Sequence, residues 1–173
     1  MKIHLFIAFA FFFNGYFCSA QNIQSEQSQV SFEISNMGFN TVEGSFKGMK
    51  GTVDFRPQDL SNSNFNVCVD ATTVNTGNST RDKHLRNEKH FEVEKYPTIC
   101  FVSSTVTQSN SGYITQGKLT MHGITKEVEI PFTYSNQQFL GEITVDRLDY
   151  GIGPKGGFMM GRTVDLEIKC VVE

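Results

Sequence analysis

Residues 127–134 read Glu-Val-Glu-Ile-Pro-Phe-Thr-Tyr, and this stretch decides the fold. Val128, Ile130, Phe132 and Tyr134 alternate strictly with Glu127, Glu129, Pro131 and Thr133. A period of two sends successive side chains to opposite faces, which is the signature of a half-buried strand. One apolar and one polar face belong to an antiparallel sheet that is wet on one side.

The same period recurs along the chain. Val30, Phe32 and Ile34 alternate with polar residues, as do Val53 and Phe55, then Phe65, Val67, Val69 and Ala71. Phe139, Gly141, Ile143 and Val145 follow the deciding stretch, and Val164, Leu166, Ile168 and Cys170 close the chain. The intervening segments are rich in turn formers: Gly48-Met49-Lys50-Gly51, Asn62-Ser63-Asn64, Ser109-Asn110-Ser111-Gly112, His122-Gly123 and Asn136-Gln137. Eight or nine strands without a long helical pattern predict an all-β sandwich or barrel. A barrel is favoured because closure leaves no unpaired edge, and eight strands enclose room for a small ligand.

One segment departs from the pattern. Residues 75–96 are dense in charge, and Ser79-Thr80-Arg81-Asp82 fits a capping box. The reading is a short helix from Thr80 to about Lys89 that crosses the barrel, with Pro97 opening the next strand.

The first twenty residues are of another kind. Lys2, an apolar run from Ile3 to Phe13 broken by His4, and the small-residue segment Cys18-Ser19-Ala20 follow the order of a secretory signal cut after Ala20. The apolar run is shorter than the ~20 residues a membrane span needs, so no stable membrane insertion is expected. A competing reading makes Cys18 the acylated cysteine of a lipoprotein, but Phe17 stands where such a signal wants a small residue. Residues 21–173 are then one domain, large enough to bury a core without staples. The chain has 173 residues, a formal net charge of −3 and no Trp. Mild acidity without a basic cluster argues against nucleic acid as partner.

Cys68, Cys100 and Cys170 remain after cleavage, an odd number without a C-x-x-C redox spacing. If the strands around the charged segment pair as neighbours, Cys68 and Cys100 share the face opposite the apolar one. A bridge between them and no bridge both stay open. Cys170 lies in the apolar phase and reads as a buried free thiol.

No nucleophile elbow, zinc-protease helix or phosphate loop is present. His84 and His90 are six apart, which matches neither a helical turn nor strand alternation, so no metal site is expected. His122 before Gly123 reads as a hairpin residue. Arg81, Asp82 and His84 read first as a network pinning the crossing segment and second as an acid–base pair. The glycine-rich stretch 150–161, with Phe158, Met159 and Met160, reads equally as a surface turn or as an apolar lid at a barrel mouth. Gly44, Gly51, Ala71, Ser103, Gly117 and Gly141 fall in the apolar phase and leave room for a cavity without requiring one.

Thr76-Gly77-Asn78, Arg81-Asp82-Lys83-His84-Leu85, Phe91 and Lys95-Tyr96-Pro97-Thr98-Ile99-Cys100-Phe101 with Ser103 together resemble the central signature of the YceI-like proteins. Gly117 to Lys126 resembles their second signature, Arg147 to Ile152 a third, and Gly44 with Phe46 fits the early Gly-x-Phe. The resemblance implies a lipocalin-like barrel of eight antiparallel strands with one short helix. It implies a periplasmic or secreted location, and non-covalent binding of a long isoprenoid or similar fatty amphiphile by a protein that is not an enzyme. Two positions depart from the family: Gln27-Ser28 replaces a His-Ser pair before the first strand, and Asn36 replaces a His near its end.

Carried onto this chain, the lipid-lining candidates are Phe32, Ile34, Phe46, Phe55, Val67, Val69, Phe101, Leu119, Val128, Ile130, Phe132, Ile143, Phe158, Leu166 and Ile168. Arg81, His84 and Arg147 are the headgroup candidates. No catalytic residue and no cofactor are expected, the lipid itself being the ligand, and a homodimer is left open. Three functions follow: an exported lipid carrier or scavenger, an enzyme acting on the bound lipid through His84 and Asp82, or a structural or partner-binding β-module with a filled core.

Overall fold

The computed structural model describes residues 20–36, 40–155 and 160–173. Its strands are β1 (Gln29–Asn36), β2 (Asn40–Asp54), β3 (Asn64–Asn75), β4 (Thr98–Ser109), β5 (Gly112–Met121), β6 (Ile124–Ser135), β7 (Gln138–Asp146) and β8 (Thr163–Val171). All are antiparallel and neighbours in sequence order, and β1 pairs with β8 through Val30–Ile168, Phe32–Leu166 and Ile34–Val164 to close the barrel. The eight-stranded antiparallel barrel with one short helix is therefore the fold that the period-two reading and the resemblance gave.

Alternation sets the inside. In β6, Ile130 and Phe132 are buried while Glu127, Glu129, Pro131 and Thr133 are exposed. The two-residue turns of the β5–β6 and β6–β7 hairpins need positive φ at both positions: His122 has +50°, Gly123 +72°, Asn136 +49° and Gln137 +61°.

Two local expectations are corrected. Gly48-Met49-Lys50-Gly51 is no connection but lies inside the long β2, where the β2–β3 register shifts between Lys47 and Lys50. Gly48, at φ +69°, absorbs the bulge, so the inward phase moves from Phe46 to Met49 and Val53. The helix α1 spans Ser79–Leu85, not Thr80 to Lys89, and its N-cap is Asn78, whose Oδ1 accepts from the Arg81 amide at 3.0 Å. It stops early because Arg86 turns to the barrel wall, donating from Nε to the Thr72 carbonyl (2.7 Å) and from Nη2 to the Val74 carbonyl (2.6 Å). Turns then carry residues 86–97 across the barrel end.

Cys68 and Cys100 sit opposite each other in the β3–β4 ladder and are disulfide-bonded, while Cys170 is a buried free thiol.

The two ends of the barrel differ. At one, Phe55, Phe65, Tyr113, Phe132, Tyr134 and Phe139 stack into a plug, with edge-on pairs such as Phe55–Phe139 (5.3 Å between centroids) and Phe65–Phe132 (5.5 Å). Such pairs add about 0.5–1.5 kcal/mol each beyond area burial. The N-terminal segment seals the outside of that end through bridges from Gln21 to Val53 and from Ile23 to Val172. The other end carries α1, residues 86–97 and the described parts of the β7–β8 connection.

The shortest ladder in the wall is β6–β7. β6 and β7 pair only where Phe132–Ser135 meets Gln138–Gly141. Pro131, the next residue outward, has no amide hydrogen to give to the ladder.

Candidate functional site

Between the plug and the opposite end lies an apolar cavity of about 420 Å³. Its wall is built by the inward phase of the strands. Phe32, Ile34, Phe46, Val67, Val69, Phe101, Leu119, Ile130, Phe132, Ile143, Leu166 and Ile168 all line it. Two other sequence candidates do not. Phe55 is the centre of the aromatic plug, held by rings on every side, and Val128 packs against the Leu119–Met121–Val145 cluster. Phe158 falls outside the described residues. Gly141 lines the chamber as well, and Gly44 admits the Phe32 ring, whose Cζ a Cβ there would overlap.

Residues that the alternation reading did not name also line it: Met49, Leu85, His90, Phe91, Ile152 and Met160. Met49 was hidden by the bulge. Leu85, His90, Phe91, Ile152 and Met160 lie outside the strands, where a period of two carries no signal.

Polar side chains gather at the end opposite the plug. Arg81, His84, His90 and Arg147 reach the cavity there. Arg81 is tied down by Thr76, donating from Nε to Oγ1 (2.7 Å) and from Nη2 to the carbonyl (2.9 Å). The carboxylate of the buried Asp82 also turns to Thr76, accepting from its amide at 2.8 Å and its hydroxyl at 2.6 Å. Asp82 is thus committed to the helix start rather than to His84, and His84 is exposed. Arg81 and Asp82 form the pinning network with Thr76, His84 stands outside it, and Asp82 and His84 make no acid–base pair.

Arg147 is 4 % exposed and gathers the β7–β8 connection. Its Nε donates to the Gly161 carbonyl (2.7 Å), Nη1 to those of Ile152 (2.6 Å) and Pro154 (3.1 Å), and Nη2 to that of Met160 (3.4 Å). The described part of the glycine-rich stretch is therefore folded over the cavity end, with Ile152 and Met160 facing in. Burial lowers the Arg147 pKa, and neighbouring Asp146 acts the other way. Burial also lowers the His90 pKa, with the positive charge of Arg147 adding to the effect.

His122 does more than turn a hairpin. Its Nδ1 lies 3.0 Å from the Tyr150 carbonyl, Tyr96 packs edge-on to its ring at 5.1 Å, and Nε2 is 3.6 Å from a Glu92 carboxylate oxygen. It joins the β5–β6 hairpin, the crossing segment and the β7–β8 connection at one point. No sequence pattern marks that role.

A closed antiparallel barrel with an apolar chamber, plugged at one end and polar at the other, defines a β-barrel of the ligand-enclosing kind. The chain belongs to the YceI-like domain family, whose model matches residues 21–172. A UPF0312 protein of Photorhabdus laumondii is 30 % identical over 148 residues, covering 86 % of this chain and 70 % of that one. A UPF0312 protein of Pseudomonas savastanoi is 32 % identical over 157 residues, covering 84 % and 80 %. Among solved structures, Burkholderia cenocepacia BcnA superposes with a TM-score of 0.80 at 21 % identity, covering 88 % of this chain and 100 % of that one. A polyisoprenoid binding domain from Saccharophagus degradans gives a TM-score of 0.66 at 14 % identity, with 89 % and 98 % covered. No helix among the described residues is long and apolar enough to cross a membrane.

Proposed function

We propose that this protein is a non-catalytic, exported carrier or scavenger that holds a long isoprenoid or similar fatty amphiphile inside its barrel. The observation that carries this is the cavity of about 420 Å³, walled by hydrocarbon and polar at one end only. An amphiphile fits that distribution, with its tail against the strands and its headgroup near Arg81, His84 and Arg147. Burying ten methylenes contributes about 8 kcal/mol before the losses of association, at roughly 0.8 kcal/mol each. Such affinity needs no catalytic group, and Asp82 is engaged by Thr76. Family membership and the polyisoprenoid binding neighbour support the isoprenoid class. Export rests on the leader-like residues 1–20, with cleavage after Ala20 and a periplasmic or secreted destination. A β-module with a filled core calls for no chamber, and the chamber argues against it.

Native mass spectrometry of mature protein purified from its own host, followed by solvent extraction, tests the proposal. A stoichiometric adduct that resolves into a polyprenyl or long acyl compound is the expected result. A bare mass that stays bare after incubation with quinones and polyprenols would overturn it.

A further inference from the structure

The cavity wall carries arginine charge with no acid beside it. Arg81, His84, His90 and Arg147 line it, and among the described residues no aspartate or glutamate does. Buried cations are ordinarily paired, because a guanidinium taken out of water loses solvation that only an opposite charge restores in full. Neither the half-buried Arg81 nor the buried Arg147 has a carboxylate ion-pair partner among the described residues. Asp146 is bonded to Arg162 and to the Leu148 amide, and Asp82 reaches Arg81 only through the Thr76 hydroxyl. Carbonyl dipoles hold Arg147, but they supply no net charge. Arg81 Nη1 makes no hydrogen bond to any described residue, while its Nε and Nη2 fix the plane of the guanidinium at the cavity end.

We propose that the amphiphile bound here carries an anionic headgroup, a carboxylate or phosphate, received by Arg81 with His84 and His90 beside it and the charge of Arg147 behind. This rests on the carrier reading and narrows its ligand from amphiphiles in general to acidic ones. A charged acceptor on a fixed guanidinium forms the stronger kind of hydrogen bond, whereas a hydroxyl or quinone oxygen leaves the local positive charge uncompensated. The acidic outer wall fits the same polarity. Glu129 and Glu142 flank the β6–β7 seam, and Glu33, Asp165 and Glu167 share the outer groove beside it across β8 and β1, so an anionic headgroup is repelled there and favoured at the end of the barrel.

The test uses delipidated full-length mature protein and calorimetric titration with oleate, oleyl phosphate, oleyl alcohol and inorganic phosphate. Oleate and oleyl phosphate are expected to bind roughly ten- to a hundredfold more tightly than oleyl alcohol, the range for a hydrogen bond to a charged group. In Arg81→Gln that preference should shrink towards unity while the alcohol affinity stays put, and Arg81→Lys should restore part of it. His84→Gln, at an exposed position outside the Thr76 network, gives a second reduction should Arg81→Gln fail to fold. Equal binding of oleate and oleyl alcohol overturns the anionic headgroup and leaves the carrier standing. Failure of all three oleyl probes overturns both. Inorganic phosphate competing with oleate at low millimolar concentration would point to a free-anion site and overturn the lipid-headgroup assignment.

Discussion

The Nη1 of Arg147 donates to the carbonyl oxygen of Ile152 at 2.6 Å, and the same guanidinium reaches the carbonyls of Pro154, Met160 and Gly161. One side chain rooted at the end of β7 therefore holds both flanks of the β7–β8 connection over the cavity. The connection is otherwise rich in glycine, so its own conformational preferences would not keep it there.

Removing that guanidinium should be severe. Arg147→Gln strips its donors from the buried Ile152 carbonyl and from three half-buried ones, at about 1–3 kcal/mol for a buried group before relaxation. A loss of roughly 2–4 kcal/mol in urea unfolding is expected, with little rescue by Arg147→Lys, whose point charge cannot fork to four acceptors. A loss below about 1 kcal/mol would contradict the clamp.

The Cys68–Cys100 bridge closes a loop of sequence separation 32. Chain-entropy arithmetic for that length gives about 3–4 kcal/mol. The double variant Cys68→Ser, Cys100→Ser should lose that much stability without changing far-UV circular dichroism. An unchanged denaturant midpoint would refute the bridge as a stabiliser.

Alkaline pH should weaken the fold. Burial pushes the Cys170 thiol from 9.0 up to about 11, with a Ser28 hydrogen bond acting weakly the other way. Burial likewise raises Tyr150 from 10.0 to about 12, helped by Asp149. Between the unfolded and folded values the folded chain binds more protons, so stability falls as pH rises through 9 to 12. Cys170→Ala should flatten the slope between pH 9 and 11, and an unchanged slope there would show that the thiol is not buried in solution. Alkylation of native Cys170 at pH 8 should also be slow, since only about one thiol in a thousand is ionised three units below its pKa.

The chamber should be fillable. Ile143→Phe adds a ring to the inward face of β7, where Ile143 lines the cavity. Cargo recovered per barrel should fall several-fold while the far-UV spectrum stays that of the parent. Full retention of cargo would place the tail elsewhere.

The β6–β7 seam should exchange first. β7 beyond Gly141 pairs with β8 but no longer with β6. Hydrogen exchange at the amides of residues 142–146 that face β6 should outpace the β4–β5 ladder, which runs from Cys100–Thr120 to Ser109–Gly112. Equal protection would mean the seam is closed in solution.

Sequence alone marked β1, β3, β6, β7 and β8 with their inward faces, and the β5–β6 and β6–β7 turns, because a period of two is a local consequence of backbone geometry. It also placed Arg81, His84 and Arg147 among the candidate groups, through motif resemblance rather than periodicity. The tertiary structure alone decided the rest. Phe55, just past the end of β2, became plug rather than wall because five aromatic partners from four strands converge on it. Met49 entered the wall because a single bulge at Gly48 reversed the phase of β2. The charge character of the cavity end came from side chains brought together from α1, the crossing segment and the β7–β8 connection. Such convergence depends on barrel closure between the first and last strands, and no window of local sequence contains it.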